Sequence, residues 1–277
     1  MDNAIYTRGF SADGTSALRR SCSFAHSRSE RSRPGVTAYC ARPLRPAPVE
    51  SGAMNAPLLP AVVVDTGPNP DASVIWLHGL GDTGHGWSAA APELALPRSL
   101  AVRFVFPHAP SIPVTINQGF VMPAWYDLRA ADVNARADVA GVRASRDRIE
   151  ALIAAEKARG VKASRIALVG FSQGGVIALY AGLRHAERLA GIVGLSTYVV
   201  DPDALAVEAS PANRDVPILM AHGTEDPVIR YEWADRSRRV LEANGWKVEW
   251  HSYRMEHGAN QDEMRKVGAL LARVLQT

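Results

Sequence analysis

Seven short apolar runs recur along the chain, at 61–65 (AVVVD), 73–78 (SVIWLH), 101–106 (AVRFVF), 165–170 (RIALVG), 190–196 (AGIVGLS), 216–222 (VPILMAH) and 246–253 (WKVEWHSY). Most are unbroken rather than alternating, the pattern of strands covered on both faces. Between them lie helical patterns at about 86–95, about 132–159, 173–184, 231–244 and 259–275. The longest repeats apolar residues at three- and four-residue steps (Val139, Val142, Ile149, Leu152, Ile153) and ends at Gly160, a natural residue to follow a helix. Buried strands alternating with helices leave few solutions. The expectation is one α/β domain with a mostly parallel central sheet, helices on both faces and right-handed crossovers.

Charge separates this body from what precedes it. Residues 1–53 hold eight of the 31 basic residues and four of the 28 acids, so that segment carries +4 and the rest −1. The body therefore has no basic footprint for nucleic acid. Both cysteines, Cys22 and Cys40, also lie in the leader. The body accordingly offers no disulfide, thiol nucleophile or cysteine metal site. No apolar stretch approaches the length of a membrane span, so no stable membrane insertion is expected.

The first 53 residues are rich in Ser, Arg and Pro without sustained periodicity, and are expected to be disordered. They lack the apolar stretch of a secretory signal. Two accounts stand: an assigned start upstream of a true start at Met54, with the protein in the cytoplasm, or an Arg/Ser-rich organellar transit peptide. Residues 54–277 form the expected domain.

Two glycine motifs compete for the chemistry. Gly79-Leu80-Gly81-Asp82-Thr83-Gly84 matches the dinucleotide fingerprint G-x-G-x-x-G after a strand. That reading needs a regular following helix and an acid at the end of the next strand. Here Pro92 interrupts the helix candidate, and the next strand ends in FVFPHAP. The second motif, Gly170-Phe171-Ser172-Gln173-Gly174, is a G-x-S-x-G. Alone it arises by chance in roughly one chain in ten of this length. Its setting, strand before and helix after, is the nucleophile elbow of the α/β-hydrolase fold.

A serine needs a base, and the base an orienting acid. In this fold the order along the chain is serine, acid, histidine. Asp226 follows the strand VPILMAH and His257 follows WKVEWHSY, both at carboxyl ends, where open α/β sheets build sites. Glu225, Asp201 and Asp203 are rival acids, whereas Asp215 precedes its strand. His222 and His251 lie within strands and read as structural, and His185 as helix surface. His78, His85 and His108 precede the serine. In such a site one oxyanion donor is the N–H after the nucleophile, Gln173, and the other comes from an early glycine loop, here Leu80.

With those residues assembled, the body resembles the carboxylesterase / acyl-protein thioesterase (lysophospholipase-like) family of α/β-hydrolases. The resemblance is carried by LHGLGDTGHGW, PHAPSIPVTINQGFVMPAWYDL, GFSQGGVIALYAGL, GLSTYV, HGTEDPVI and EHG, across residues 60–275. It implies Ser172, Asp226 and His257 as triad, Leu80 and Gln173 as oxyanion hole, and no metal or cofactor. Arg230 and Val199-Val200 stand where family members often have proline.

About 19 residues separate Ser196 from Val216, too few for a large cap. The stretch 110–128, proline-broken and apolar, reads as a long loop beside the site, with Met122 and Trp125 candidates for an acyl-accepting wall. The expected substrates are short- to medium-chain acyl esters, thioesters or lysophospholipids, with acylated proteins as a further class. The expected state is a monomer or weak homodimer. A non-catalytic ligand-binding protein on this fold is the alternative, but such proteins usually lack a triad member, and this chain keeps all three.

Overall fold

Every expected apolar run becomes a strand, its ends shifted by no more than two residues in the computed structural model, which describes residues 58–130 and 138–276. The leader expected over 1–53 and the first residues of the long helix expected from 132 lie outside the described residues. In chain order the strands are β1 (Ala61–Asp65), β2 (Ala72–Leu77), β3 (Val102–Pro107), β4 (Ser111–Val114), β5 (Phe120–Pro123), β6 (Ile166–Phe171), β7 (Gly191–Leu195), β8 (Ile218–Gly223) and β9 (Val248–Tyr253). The helices are α1 (Gly84–Ser88), α2 (Ala90–Glu93), α3 (Val139–Ala158), α4 (Gln173–Gly182), α5 (Pro202–Glu208), α6 (Tyr231–Ala243) and α7 (Gln261–Leu275).

Seven strands form the main sheet in the order β1-β3-β2-β6-β7-β8-β9. Only β1 runs antiparallel, against β3; the other pairings are parallel. The register brings carboxyl ends together: Leu77 pairs with Gly170, Phe171 with Leu195, Leu195 with Ala221, and Gly223 with Tyr253.

Strand residues alternate between two cores, as the period of two requires. Ile75, Leu77, Leu168, Ile192, Ile218 and Met220 face a core shared with Val142, Ile149 and Ile153 of α3 and Ile177 of α4. Val74, Trp76, Val169, Val193 and Leu219 face the other, with Ala91 of α2 and Met264, Val267 and Leu271 of α7. Helices on both faces explain why β2, β7 and β8 are buried end to end and lack alternation.

Three local expectations are corrected. The helix expected over 86–95 is two short pieces, because the chain turns at Ala89 and leaves at Ala95 with φ 50°. The stretch expected as a loop is a hairpin: β4 and β5 pair antiparallel around a turn through Gln118 (φ 58°) and Gly119 (φ 76°). Both prolines are tolerated because this ribbon has no further strand to bond. Between β7 and β8 lies a seven-residue helix, α5, with Pro202 at its first turn; the connection carries no large cap.

Helix α7 opens with a reciprocal cap. The Glu263 N–H donates to Asn260 Oδ1 at 2.9 Å, while Glu263 Oε2 accepts from the Asn260 N–H at 3.4 Å. Glu263 is fully buried, and burial pushes its carboxyl up to about 8, the Asn260 N–H opposing only in part. A carboxyl raised on folding favours the protonated state, so its contribution is full below the unfolded value and is lost as pH rises towards about 8. Glu263→Gln should therefore flatten the fall in Tm between about pH 5 and pH 8.5. Thermal melts across that range check this; an unchanged slope contradicts the assignment.

Candidate active site

Ser172 sits between β6 and α4 with φ 53° and ψ −119°, a strained backbone for any residue with a Cβ. The strain is held by what surrounds it. The Ser172 N–H donates to Leu195 O at 2.8 Å, and its carbonyl accepts from Thr197 Oγ1 at 2.8 Å. The motif glycines are required by space. A Cβ on Gly170 would collide with the Gly174 carbonyl, and one on Gly174 with the carbonyls of Leu77 and His78. The turn brings β2, β6 and α4 closer than side chains allow, and leaves Ser172 at the positive end of α4.

The structure brings the expected acid and base to this serine. His257 Nε2 lies 2.9 Å from Ser172 Oγ, and His257 Nδ1 2.7 Å from Asp226 Oδ2. Asp226 is buried and anchored by its own loop, its Oδ1 accepting from the N–H groups of Val228 (2.8 Å) and Ile229 (2.9 Å). Burial works to raise the Asp226 carboxyl, but the His257 hydrogen bond and charge, with the two loop N–H groups, hold it below the usual range. An ionised acceptor at Oδ2 fixes the His257 proton on Nδ1, so Nε2 presents a lone pair to the serine hydroxyl. That arrangement can take the serine proton as the oxygen attacks a carbonyl.

The rival acids are engaged elsewhere. Glu225 pairs with Arg254 and Asp215 with Arg188, while Asp201 and Asp203 lie at the start of α5.

Two histidines read as structural or unassigned touch the site. His222, fully buried, places Nε2 2.7 Å from Ile229 O and 3.3 Å from Asp226 Oδ2. A carbonyl can only accept, so Nε2 carries the proton and donates to both. Burial lowers the His222 pKa, and the ring is neutral. His78 is also buried and held neutral by burial. Its Nε2 accepts from the Ala109 N–H at 3.0 Å, so Nδ1 donates to Gly79 O at 2.7 Å. That carbonyl and the Leu80 N–H share one planar peptide and point opposite ways, so His78 fixes the direction of the Leu80 N–H. Among the described residues the Leu80 N–H has no protein acceptor, and the Gln173 N–H, first in α4, has no intrahelical one.

Met122 is half-buried beside this loop, its sulfur within van der Waals reach of where a Cβ on Gly81 would stand. Trp125 is buried, its indole N–H donating to His78 O at 2.8 Å. The His85 and His108 rings lie tilted against each other, their centroids 5.2 Å apart. His185, expected on a helix surface, is instead buried just beyond α4 and bonded to Glu150 at 2.8 Å. Phe171 lies against His257, the ring centroids 4.9 Å apart.

Residues 59–275 match the phospholipase/carboxylesterase family model. The chain belongs to the phospholipase/carboxylesterase family. It is 42% identical over 216 residues to an acyl-protein thioesterase 1 from Neurospora crassa, spanning 75% of this chain and 86% of that one. It is 41% identical to the protein of the same name from Yarrowia lipolytica, over 76% and 95% of the two chains. Among solved structures, Zea mays acyl-protein thioesterase 2 superposes with a TM-score of 0.68 at 32% identity, covering 77% of this chain and 99% of that one. Arabidopsis thaliana SOBER1 gives 0.70 at 28%, covering 74% and 99%. The fold is that of the α/β-hydrolases without a large cap, and this family member is a hydrolase of carboxylic ester or thioester bonds.

Among the described residues no group of three or more His, Cys, Asp or Glu side chains is placed to hold a metal ion, and no helix is long and apolar enough to cross a membrane. Gly174→Ala should destabilise the protein by about 2 kcal/mol or more, because the obstructing atoms are backbone and cannot swing away. Denaturant unfolding reads this; near wild-type stability would mean that β2 and α4 can move apart.

Proposed function

We propose that the protein hydrolyses short- to medium-chain acyl esters and thioesters through an acyl-enzyme on Ser172, with His257 as general base and Asp226 as its orienting acid. The observation that carries this reading is the continuous pair of hydrogen bonds from Asp226 through His257 to Ser172. Ser172 Oγ attacks the substrate carbonyl while its proton passes to His257 Nε2. The tetrahedral oxyanion rests on the N–H groups of Leu80 and Gln173, each such donor worth about 10²–10³ in rate. His257 returns the proton to the departing alcohol or thiol. It then activates the water that releases the acid and restores Ser172. No step needs a metal or cofactor.

The relatives named acyl-protein thioesterase support acylated proteins as a substrate class for this chain, and the phospholipase/carboxylesterase family match supports lysophospholipids beside them. The short β7–β8 connection supports an open groove, with Met122 beside it. An apolar groove separates chain lengths by only about 1–3 kcal/mol per methylene, so the acyl range should be broad. The protein works in the cytoplasm.

Hydrolysis of p-nitrophenyl esters from C2 to C16 by the full chain tests the assignment, with Ser172→Ala and Asp226→Asn alongside. Turnover should vanish in the first variant and fall about 10³–10⁴-fold in the second. A folded Ser172→Ala protein as active as wild type would overturn the nucleophile.

A further inference from the structure

The segment Pro123–Tyr126, which begins at the last residue of β5, is bonded both to the glycine loop that carries Leu80 and to the Gln173 side chain. Towards Leu80, the Gly81 N–H donates to Pro123 O at 2.8 Å and the Trp125 indole N–H to His78 O at 2.8 Å. Towards Gln173, the Trp125 N–H donates to Gln173 Oε1 at 2.8 Å, and Gln173 Nε2 donates to Tyr126 O at 2.7 Å. The Gln173 carboxamide thus pairs with the segment as a neighbouring strand would. From behind, Ser145 of α3 donates to Trp125 O. Trp125, Tyr126, Gln173, His78 and Ser145 are all at least nine-tenths buried, so solvent does not compete for these bonds.

We propose that Pro123–Tyr126 is a bracket setting the separation and aim of the Leu80 and Gln173 N–H groups, with the Trp125 indole and the Gln173 carboxamide as its positioning groups. The proposal rests on reading those two N–H groups as oxyanion donors. It adds that the β4–β5 hairpin and the oxyanion hole form one mechanical unit. His78 aims the Gly79–Leu80 peptide and α4 carries the Gln173 N–H, while the bracket ties the two together; donors act only when held within about 0.5 Å of the productive place. Because Met122 lies on the same strand as the bracket, acyl contacts there reach the oxyanion hole through two residues of backbone. Acyl-chain preference should then appear in kcat as well as KM.

Full-length Trp125→Phe, Gln173→Leu and the double variant test this. Trp125→Phe keeps most of the buried ring and removes the donor to His78 O; Gln173→Leu keeps the bulk and removes both amide bonds. Each should lower kcat about 10- to 100-fold with KM within about threefold. Each should weaken, in parallel with kcat, an aliphatic trifluoromethyl ketone, whose serine adduct carries an oxyanion. The double variant should lose little more than the worse single, since both act through one unit. If Gln173→Leu does not fold, Trp125→Phe alone decides. A ketone that inhibits wild type and folded variants equally, or variants whose losses merely follow their folded fraction, overturns the bracket alone. A wild type that turns over esters yet is untouched by the ketone overturns the donor assignment, and the bracket with it.

Discussion

The close approach of α4 to β2 is the constraint on which the site depends. Where Gly174 faces the carbonyls of Leu77 and His78, no side chain fits, and the helix comes against the strand end. That proximity forces the turn at Ser172 into its φ 53° conformation and points the serine off the sheet edge. It also brings the amino end of α4, where Gln173 stands, against the carboxyl end of β2. The strain is local, and the cores on the two sheet faces hold it: β6 is buried along nearly its whole length, and every α4 residue is buried.

Polar groups around the serine are arranged so that one charge dominates. Asp226 is the buried anion, and four donors converge on it: two loop N–H groups, His257 and His222. His222 and His78 are held neutral by burial, so neither places a cation beside the His257 imidazole. The two neutral rings do geometric work: one joins the acid to the Ile229 carbonyl, the other turns the Gly79 peptide.

Much of this was legible in the sequence because it is written in residue type and spacing. Short unbroken apolar runs rich in β-branched residues, such as SVIWLH and RIALVG, read as covered strands, and the glycines around Ser172 mark a backbone no other residue accommodates. Asp226 and His257 follow from their places after strands. What was not legible depends on contacts between distant segments. No local pattern shows that His222 reaches Asp226, that His185 folds inward onto Glu150, or that the Gln173 side chain pairs with Trp125 and Tyr126. The hairpin was hidden by Pro113 and Pro123, which argue against a strand in a wide sheet but not in an isolated ribbon. The signal for it was the Gln118-Gly119 pair, a turn former between two apolar tetrads.

That ribbon pairs with nothing in the main sheet, and its Ile116, Phe120 and Val121 lie open to solvent while its root is locked into the core. The two ends are therefore under different evolutionary tolerances. Side chains around 116–121 can change character without disturbing a hydrogen bond of the main sheet, whereas 123–126 cannot shift without moving the groups bonded to them beside Ser172. A lineage of such proteins can diversify in what it acts upon by editing the tip alone, with the chemical machinery untouched.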